Sequence, residues 1–325
     1  MVEEEAIATR PGFGESGAER AARRTWRERL NDRDLRRLVS GTLATLVGGS
    51  FWGFSGTSAS YLFEVGHVDT LWLMSVRQLL AGALFMIVIL LFDRARFVKL
   101  WTTPAHRRTL LAFTAFGLLF NQFFYLLAVR LTNAGTATVM QCLELLIVMA
   151  ATCIRARRRP RVRETVGIAC ALGGTFLLAT GGNPTALAIP PAGLAVGLLC
   201  ALGAACMVLI PSRILPVYGS TIVTGSAMFT AGLASSIFVQ PWAHMPSLDA
   251  AGWQALAVLV VVGSFLAYLL YMKGVGEIGS LRAGMLGTVE PISATVTSAV
   301  MLGTVFAPTD IAGFALIIGM VFLTV

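Results

Sequence analysis

Residues 281–302 read LRAGMLGTVEPISATVTSAVML, an apolar stretch with a single carboxylate, Glu290, near its middle. Residues 135–156 read GTATVMQCLELLIVMAATCIRA and carry Glu144 at the matching place. The two glutamates lie 290 − 144 = 146 positions apart, and the chain around them overlays at that offset without a gap. Ala137 falls on Ala283, Gly167 on Gly313, Gly173 on Gly319, Gly117 on Gly263 and Tyr125 on Tyr271. Overall identity across the overlay is low, and the weight lies in which residues coincide. An ionisable residue inside an apolar span is expensive in lipid, so it should face a bundle interior or a water-filled cavity. Two such spans in matching halves point to a transporter built from internal repeats.

Working outward, the composition places the whole chain in a bilayer. It is 56% hydrophobic and 13% charged, with mean hydropathy +0.76. Soluble domains run at about one quarter charged. Ten apolar spans are predicted, at 40–63, 70–92, 109–130, 134–154, 164–182, 191–210, 220–240, 252–272, 281–302 and 309–325. Each is long enough to cross a hydrocarbon core of about 30 Å. The last runs to Val325 with no polar tail, which leaves open whether the natural chain continues.

Basic residues set the orientation. Nine arginines lie between Arg10 and Arg37, and the loops after the second and fourth spans are also rich in them, from Arg94 to Arg108 and from Arg155 to Arg163. The alternate loops 64–69, 183–190, 241–251 and 303–308 hold no Lys or Arg, and Arg130 is the exception on that side. The positive-inside rule then puts both termini in the cytoplasm. An odd number of spans per half turns the second half upside down, the inverted repeat that supports alternating access. The expected fold is therefore an all-α integral membrane protein of ten transmembrane helices, as two inverted five-helix repeats. Residues 1–39 form a basic cytoplasmic tail, 40–182 the first repeat and 191–325 the second. Within the tail, Met1–Asn31 reads as disordered, and residues 20–37 as a basic amphipathic helix on the membrane surface.

Several function classes are excluded or disfavoured. The net charge of +8 follows the cytoplasmic loops and forms no basic stripe with interleaved aromatics, so no nucleic-acid partner is expected. Cys142, Cys153, Cys170, Cys200 and Cys206 lie in or beside spans without CxxC spacing, and read as small packing residues. His67, His106 and His244 fall in loops, so no catalytic base is placed beside a membrane-embedded nucleophile. No GxxxxGK[ST] phosphate loop is present, which argues against ATP-driven pumping. The chain is expected to be no enzyme and to need no cofactor or metal. A channel is disfavoured, for no charged ring or carbonyl filter is visible.

The candidate substrate or proton site comprises Glu144, Glu290, Arg77, Gln78, Asn121, Gln141, Tyr125, Tyr271 and Trp52, with Pro291 as a helix kink. Proline lacks an N–H and clashes with the carbonyl four residues back, here Gly287. A carboxylate beside such an irregularity is a plausible ligand or proton site, though a glutamate hydrogen-bonded between helices is the plainer reading. Arg77 serves either a substrate carboxylate, a pairing with Glu144 or a structural ion pair, and it sits near enough to a span end to snorkel. Gln78, Asn121, Gln122 and Gln141 either bond across helices or line a cavity. Tyr125 and Tyr271 lie near span ends and serve anchoring or stacking. Trp52, with Phe54, forms an aromatic wall or simply packs.

Trp52-Gly53, Arg77, the Ala-Val-Arg-Leu-Thr run at 128–132, Glu290-Pro291, and Gly313 followed by Ile-Ile-Gly at 317–319 together resemble the EamA-type family of the drug/metabolite transporter superfamily. The resemblance covers roughly 40–325 and implies a ten-helix carrier of small metabolites, often an exporter of amino acids or related compounds. The chain departs from the family pattern at Glu144-Leu145, where a Glu-Pro would stand. It departs again at Arg157-Arg158 and Gly303-Thr304, each in place of Gly-Glu. The expected function is secondary active or exchange transport of a small metabolite or drug-like amphiphile across the inner membrane, outward. Rival readings are a carrier of lipid-linked substrates, favoured by a lateral opening, and a non-transporting scaffold or receptor, favoured by the lack of a central polar cavity. Expected partners are the small-molecule substrate and the lipid bilayer, with a homodimer left open.

Overall fold

The computed structural model describes residues 32–157, 159–183 and 187–324, and among them every regular element is a helix. Among the described residues the longer helices are α1 (Asp32–Glu64), α2 (Thr70–Phe92), α3 (Pro104–Leu131), α4 (Ala134–Gln141 and Glu144–Arg155), α5 (Val162–Thr180), α6 (Pro191–Leu209), α7 (Ser220–Val239), α8 (Ala250–Ile278), α9 (Ser280–Gly287 and Val289–Leu302) and α10 (Pro308–Thr324), with short helices at Arg94–Thr102 and Leu215–Tyr218 between them. The eight from α2 to α9 are long and apolar enough to cross a membrane. The apolar part of α10, Pro308–Leu323, is shorter, and α1 is long but opens on charged residues. Met1–Asn31 lies outside the described residues. Residues 32–39, within the stretch expected as tail, are helical and continuous with the rest of α1.

Local sequence explains where the helices begin. Asp69 caps α2 by accepting from Leu71 N and Trp72 N, Asn133 caps α4 through Thr136 N, and Asp249 caps α8 through Gly252 N. Each carboxylate or amide oxygen takes up an N–H that has no partner within its helix.

The helices pair across the two halves of the chain. α1 packs on α8 and α9, α2 on α7, α3 on α6 and α5 on α10. Exchanging the halves maps α1 on α8 to α6 on α3 and α1 on α9 to α6 on α4, which also touch, while the α2–α7 and α5–α10 pairings map onto themselves. Small residues make these approaches possible. A Cβ at Gly232 or Gly82 would collide with the backbone of the facing helix, at Leu79 and Phe229 respectively. Between α1 and α9, a Cβ on Gly53 would meet the Glu290 carbonyl. Ser293 Oγ donates to Ser50 O at 2.9 Å, and the Thr57 and Thr297 hydroxyls meet at 2.6 Å. Those contacts fix the backbone that carries Glu290.

Irregularities recur at the offset found in the sequence. α3 holds a π-helical segment at Phe113–Leu119 and α8 one at Val258–Leu266. α4 breaks at Cys142 and Leu143, whose N–H groups bond three residues back to Val139 and Met140, and α9 breaks at Thr288, bonded to Met285 O. The sequence pointed to an irregularity only at Pro291. The helix that lacks a proline breaks at the same place, so proline is not the cause. Pro291 sits in the first turn after the break, where a missing N–H costs little. Both second segments also end on a residue with positive φ: Gly303 at 66° and Arg157 at 48°.

Two substitutions test these points by thermal unfolding of purified protein. Gly232→Val should lower stability by about 1–3 kcal/mol, because the α2–α7 crossing cannot widen freely. Arg157→Gly should raise it by about 1 kcal/mol by relieving a left-handed backbone on a residue with a Cβ.

Candidate functional site

The helix breaks and the π segments surround one cavity. Glu144 is the first residue of the second segment of α4, and Glu290 the second residue of the matching segment of α9. Each carboxyl therefore lies in the first turn of a new helical segment, and at the α4 break the N–H groups of Leu145 and Leu146 bond to Cys142 O and Leu143 O. Both line a cavity of about 380 Å³. Among the described residues, neither makes an ion pair, and no hydrogen bond to either carboxyl is seen.

Arg77 enters from α2. It is 5% exposed, so it does not snorkel to the surface. Its Nε donates to Ser264 Oγ at 2.7 Å. Ser264 in turn donates to Leu259 O, five residues back, at 2.9 Å. The π segment of α8 thus presents the hydroxyl that orients the guanidinium. Arg77 Nη1 is buried without a hydrogen-bond partner. No ion pair joins Arg77 to Glu144 or Glu290 within 4 Å, so the pairing considered from the sequence is not formed.

An aromatic wall faces these charges. Trp52 lies 4.8 Å from the ring centroids of both Tyr268, edge-on at 74°, and Tyr271, tilted at 43°. Gly53 lets α1 touch α9 while the neighbouring Trp52 turns into the cavity. Tyr125 and Tyr271 line the cavity rather than a membrane edge. The Tyr125 hydroxyl lies 3.2 Å from Thr138 Oγ1, which donates to Ala134 O.

The polar floor is amide-rich. Asn121 Nδ2 donates to Met207 Sδ at 3.2 Å, and the Cys200 thiol donates to Asn121 Oδ1 and Gln141 Oε1 at 3.5 and 3.7 Å. Gln122 also lines the cavity, and its Oε1 is buried without a partner. Eight of the nine candidate residues, and Pro291, line this space; Gln78 does not. Gln78 is fully buried, with both amide atoms unpartnered. Sequence reasoning missed Tyr268, Ser264 and Ser55. Tyr268 was findable, for it overlays Gln122 at the same 146-residue offset. α1, α6, α7 and α10 also supply Ser55, Met207, Thr224 and Val321 to the lining.

A sequence profile of the EamA-like transporter family matches residues 39–180 and again 191–325. An uncharacterised inner membrane transporter, YicL, of Salmonella typhimurium strain LT2 is 34% identical over 286 residues, covering 87% of this chain and 94% of its own length. A solved crystal structure with 18% identity covers 88% of this chain and 95% of its own, with a TM-score of 0.59. That likeness is one of fold.

Removing the Ser264 hydroxyl isolates Arg77 electrostatically. Ser264→Ala should cost about 1–3 kcal/mol of stability, because a buried donor loses its partner, and Ser264→Thr should keep most of it. Thermal unfolding of the two variants side by side measures this.

Proposed function

We propose, for a chain that belongs to the EamA-like transporter family, that it moves a small polar or amphipathic metabolite across the inner membrane by alternating access. One observation carries the reading. A cavity with two carboxyls, an unpaired guanidinium N–H and an aromatic wall lies among helices apolar enough to span a bilayer. A buried donor without a partner costs free energy. A solute that brings an acceptor to the Arg77 guanidinium offsets part of that cost.

An amino acid or a related compound meets the whole set. Its carboxylate faces Arg77, its ammonium faces Glu144 or Glu290, and its side chain lies against Trp52, Tyr268 and Tyr271. A ring there gains from stacking and from the cation–π geometry open to its ammonium. The polar cavity also weighs against a scaffold without transport, and no catalytic constellation among these residues supports an enzyme.

The path is built from ten transmembrane helices in two inverted five-helix repeats, 40–182 and 191–325, with both termini cytoplasmic and transport directed outward. Interruptions in α4 and α9 supply the joints about which half-helices tilt, as in carriers whose broken helices bind at mid-membrane. Glu144 and Glu290 exchange a proton against the substrate. Each is released from its ammonium partner as the cavity changes sides, so the coupling needs no ATP and no cofactor.

The test is counterflow in proteoliposomes of purified protein, with labelled amino acids, sugars, nucleosides and cationic drugs, with and without a pH gradient. Saturable counterflow of amino acids is expected. Arg77→Gln, Glu144→Gln and Glu290→Gln should each weaken it by roughly tenfold or more, the equivalent of about 1.4 kcal/mol of binding. Folded protein that shows no counterflow for any class overturns the reading. Transport whose pH dependence survives both glutamate substitutions removes the proton role.

A further inference from the structure

The central cavity reaches one end of the bundle and is sealed from the other. His106 Nδ1, in the first turn of α3, lies 2.8 Å from the Tyr218 hydroxyl, so the loop between α6 and α7 sits at the arginine-rich end. Pro211, Leu215 and Ser220, in that loop and at its edge, line the cavity, as do Met272 near the end of α8 and Val321 near the end of α10. Towards the opposite end the lining stops at Ser55 on α1 and at Pro291 on α9, although these helices run on to Glu64 and Leu302. Beyond those residues the two helices close on one another. Thr57 Oγ1 lies 2.6 Å from Thr297 Oγ1 and 3.3 Å from Ser298 Oγ, and both Thr57 and Ser298 are buried.

The seal breaks the symmetry of the repeats. The first segment of α4, Ala134–Gln141, packs on α1, on the second segment of α9 and on α10. Exchanging the halves turns these into contacts of Ser280–Gly287, the first segment of α9, with α6, with the second segment of α4 and with α5. Among the described residues none of those three pairs makes a comparable contact. The last part of α3, Phe120–Leu131, likewise touches α1, whereas its counterpart in α8, Ala267–Ile278, makes no comparable contact with α6. Glycines report the same difference. A Cβ on Gly135 would meet Thr295 Oγ1 at 2.9 Å and the Phe306 ring at 3.1 Å, and one on Gly56 would meet the Tyr125 hydroxyl at 2.6 Å. A Cβ on Gly284 would meet nothing within 4 Å, and Gly284 lines the open part of the cavity.

A glycine inside a helix costs about 1 kcal/mol relative to alanine. At Gly135 a close helix crossing accounts for it. At Gly284 the crossing that would account for it is absent from this conformation. Alternating access in inverted repeats moves one repeat against the other around a fixed site, and the second state then holds the contacts of the first with the halves exchanged. We infer that this conformation is the state open at the arginine-rich end, and that Gly284 is the closing point of the gate that alternates with it, where the first segment of α9 folds onto the second segment of α4. Gly284 overlays Thr138, on the segment of α4 that makes the seal, at the 146-residue offset. The break at Thr288 is the joint between the part of α9 that moves and the part that carries Glu290. The inference rests on the alternating-access reading, and on the topology proposed there the open end faces the cytoplasm. A cytoplasmic solute then enters past Leu215, Ser220 and Met272 before it reaches the two carboxyls.

The test measures the width of the open end. Arg155, at the end of the second segment of α4, and Arg282, in the first segment of α9, are both exposed. Each is replaced by p-acetylphenylalanine in the full-length protein and labelled with a hydroxylamine-linked nitroxide, and the distance is read by double electron–electron resonance in nanodiscs. Two distances are expected, the longer from this conformation and the other shorter by about 5–10 Å, up to one helix diameter. Gly135→Leu, which wedges the sealed end, should raise the share of the shorter distance about fivefold, the effect of roughly 1 kcal/mol of overpacking. Gly135→Ala places the Cβ alone there should the larger side chain not fold. Gly284→Trp should leave thermal unfolding unchanged and abolish the shorter distance, while Gly284→Ala keeps it. A tryptophan that only filled the cavity would stop transport without moving the distance. A shorter distance absent from the parent and from both Gly135 variants overturns the inference, and so does one that survives Gly284→Trp. Counterflow without the shorter distance would overturn the gate and leave the carrier reading standing. The shorter distance, lost in Gly284→Trp, in a protein that shows no counterflow would support the gate and remove the proposed substrate.

Discussion

A carboxyl group in the middle of an apolar bundle has to be met by dipoles, by neighbours or by a ligand. Glu144 and Glu290 each follow an interruption and stand in the first turn of a new helical segment. Much of the surrounding architecture serves that arrangement. Gly53 and the Ser293–Ser50 bond hold α1 against the α9 segment that carries Glu290. The π segment of α8 brings Ser264 to the one cation nearby, Arg77. The central cavity is the space left where the broken helices, the π segments and α1 cannot all approach at once.

The two halves reach the same geometry by different local chemistry. Pro291 follows the α9 break, and Leu145 follows the α4 break. Gly303 takes a left-handed conformation that costs glycine little, and Arg157 takes it with a Cβ present. The breaks and the terminal turn recur in both halves on different residues, so local propensity does not set them. The aromatic wall is asymmetric in the same way. Tyr268 and Tyr271 of the second half correspond to Gln122 and Tyr125 of the first, and among the described residues that line the cavity the one tryptophan is Trp52 of α1.

What could be read from the sequence follows this division. The helices and the charged and amide residues of the cavity were legible, because an isolated charge in a long apolar run has few explanations and the offset of 146 doubled the signal. The break in α4 was not legible. Cys142 and Leu143 carry no turn chemistry, yet their N–H groups bond three residues back. The π segments were equally hidden, since Phe113–Leu119 and Val258–Leu266 have the composition of any apolar helix. Gln78 misled, because a polar residue beside Arg77 looks like a site. One step along a helix turns the side chain by about 100°, which here carries Gln78 out of the cavity wall.

The cross-half pairing bears on how the chain is made. α1 finds its main partners in α8 and α9, α2 in α7, and α5 in α10. Synthesis proceeds at about 5–20 residues per second, so α1 is finished and inserted well before its partners leave the ribosome. Gly41, Gly48 and Gly53 of α1 and Gly82 of α2 all face helices of the second half. In that interval their smooth faces meet lipid or the insertion machinery rather than protein. Assembly is therefore a late event in the life of the nascent chain, and the first half waits as a set of loosely held rods for the second to close around it.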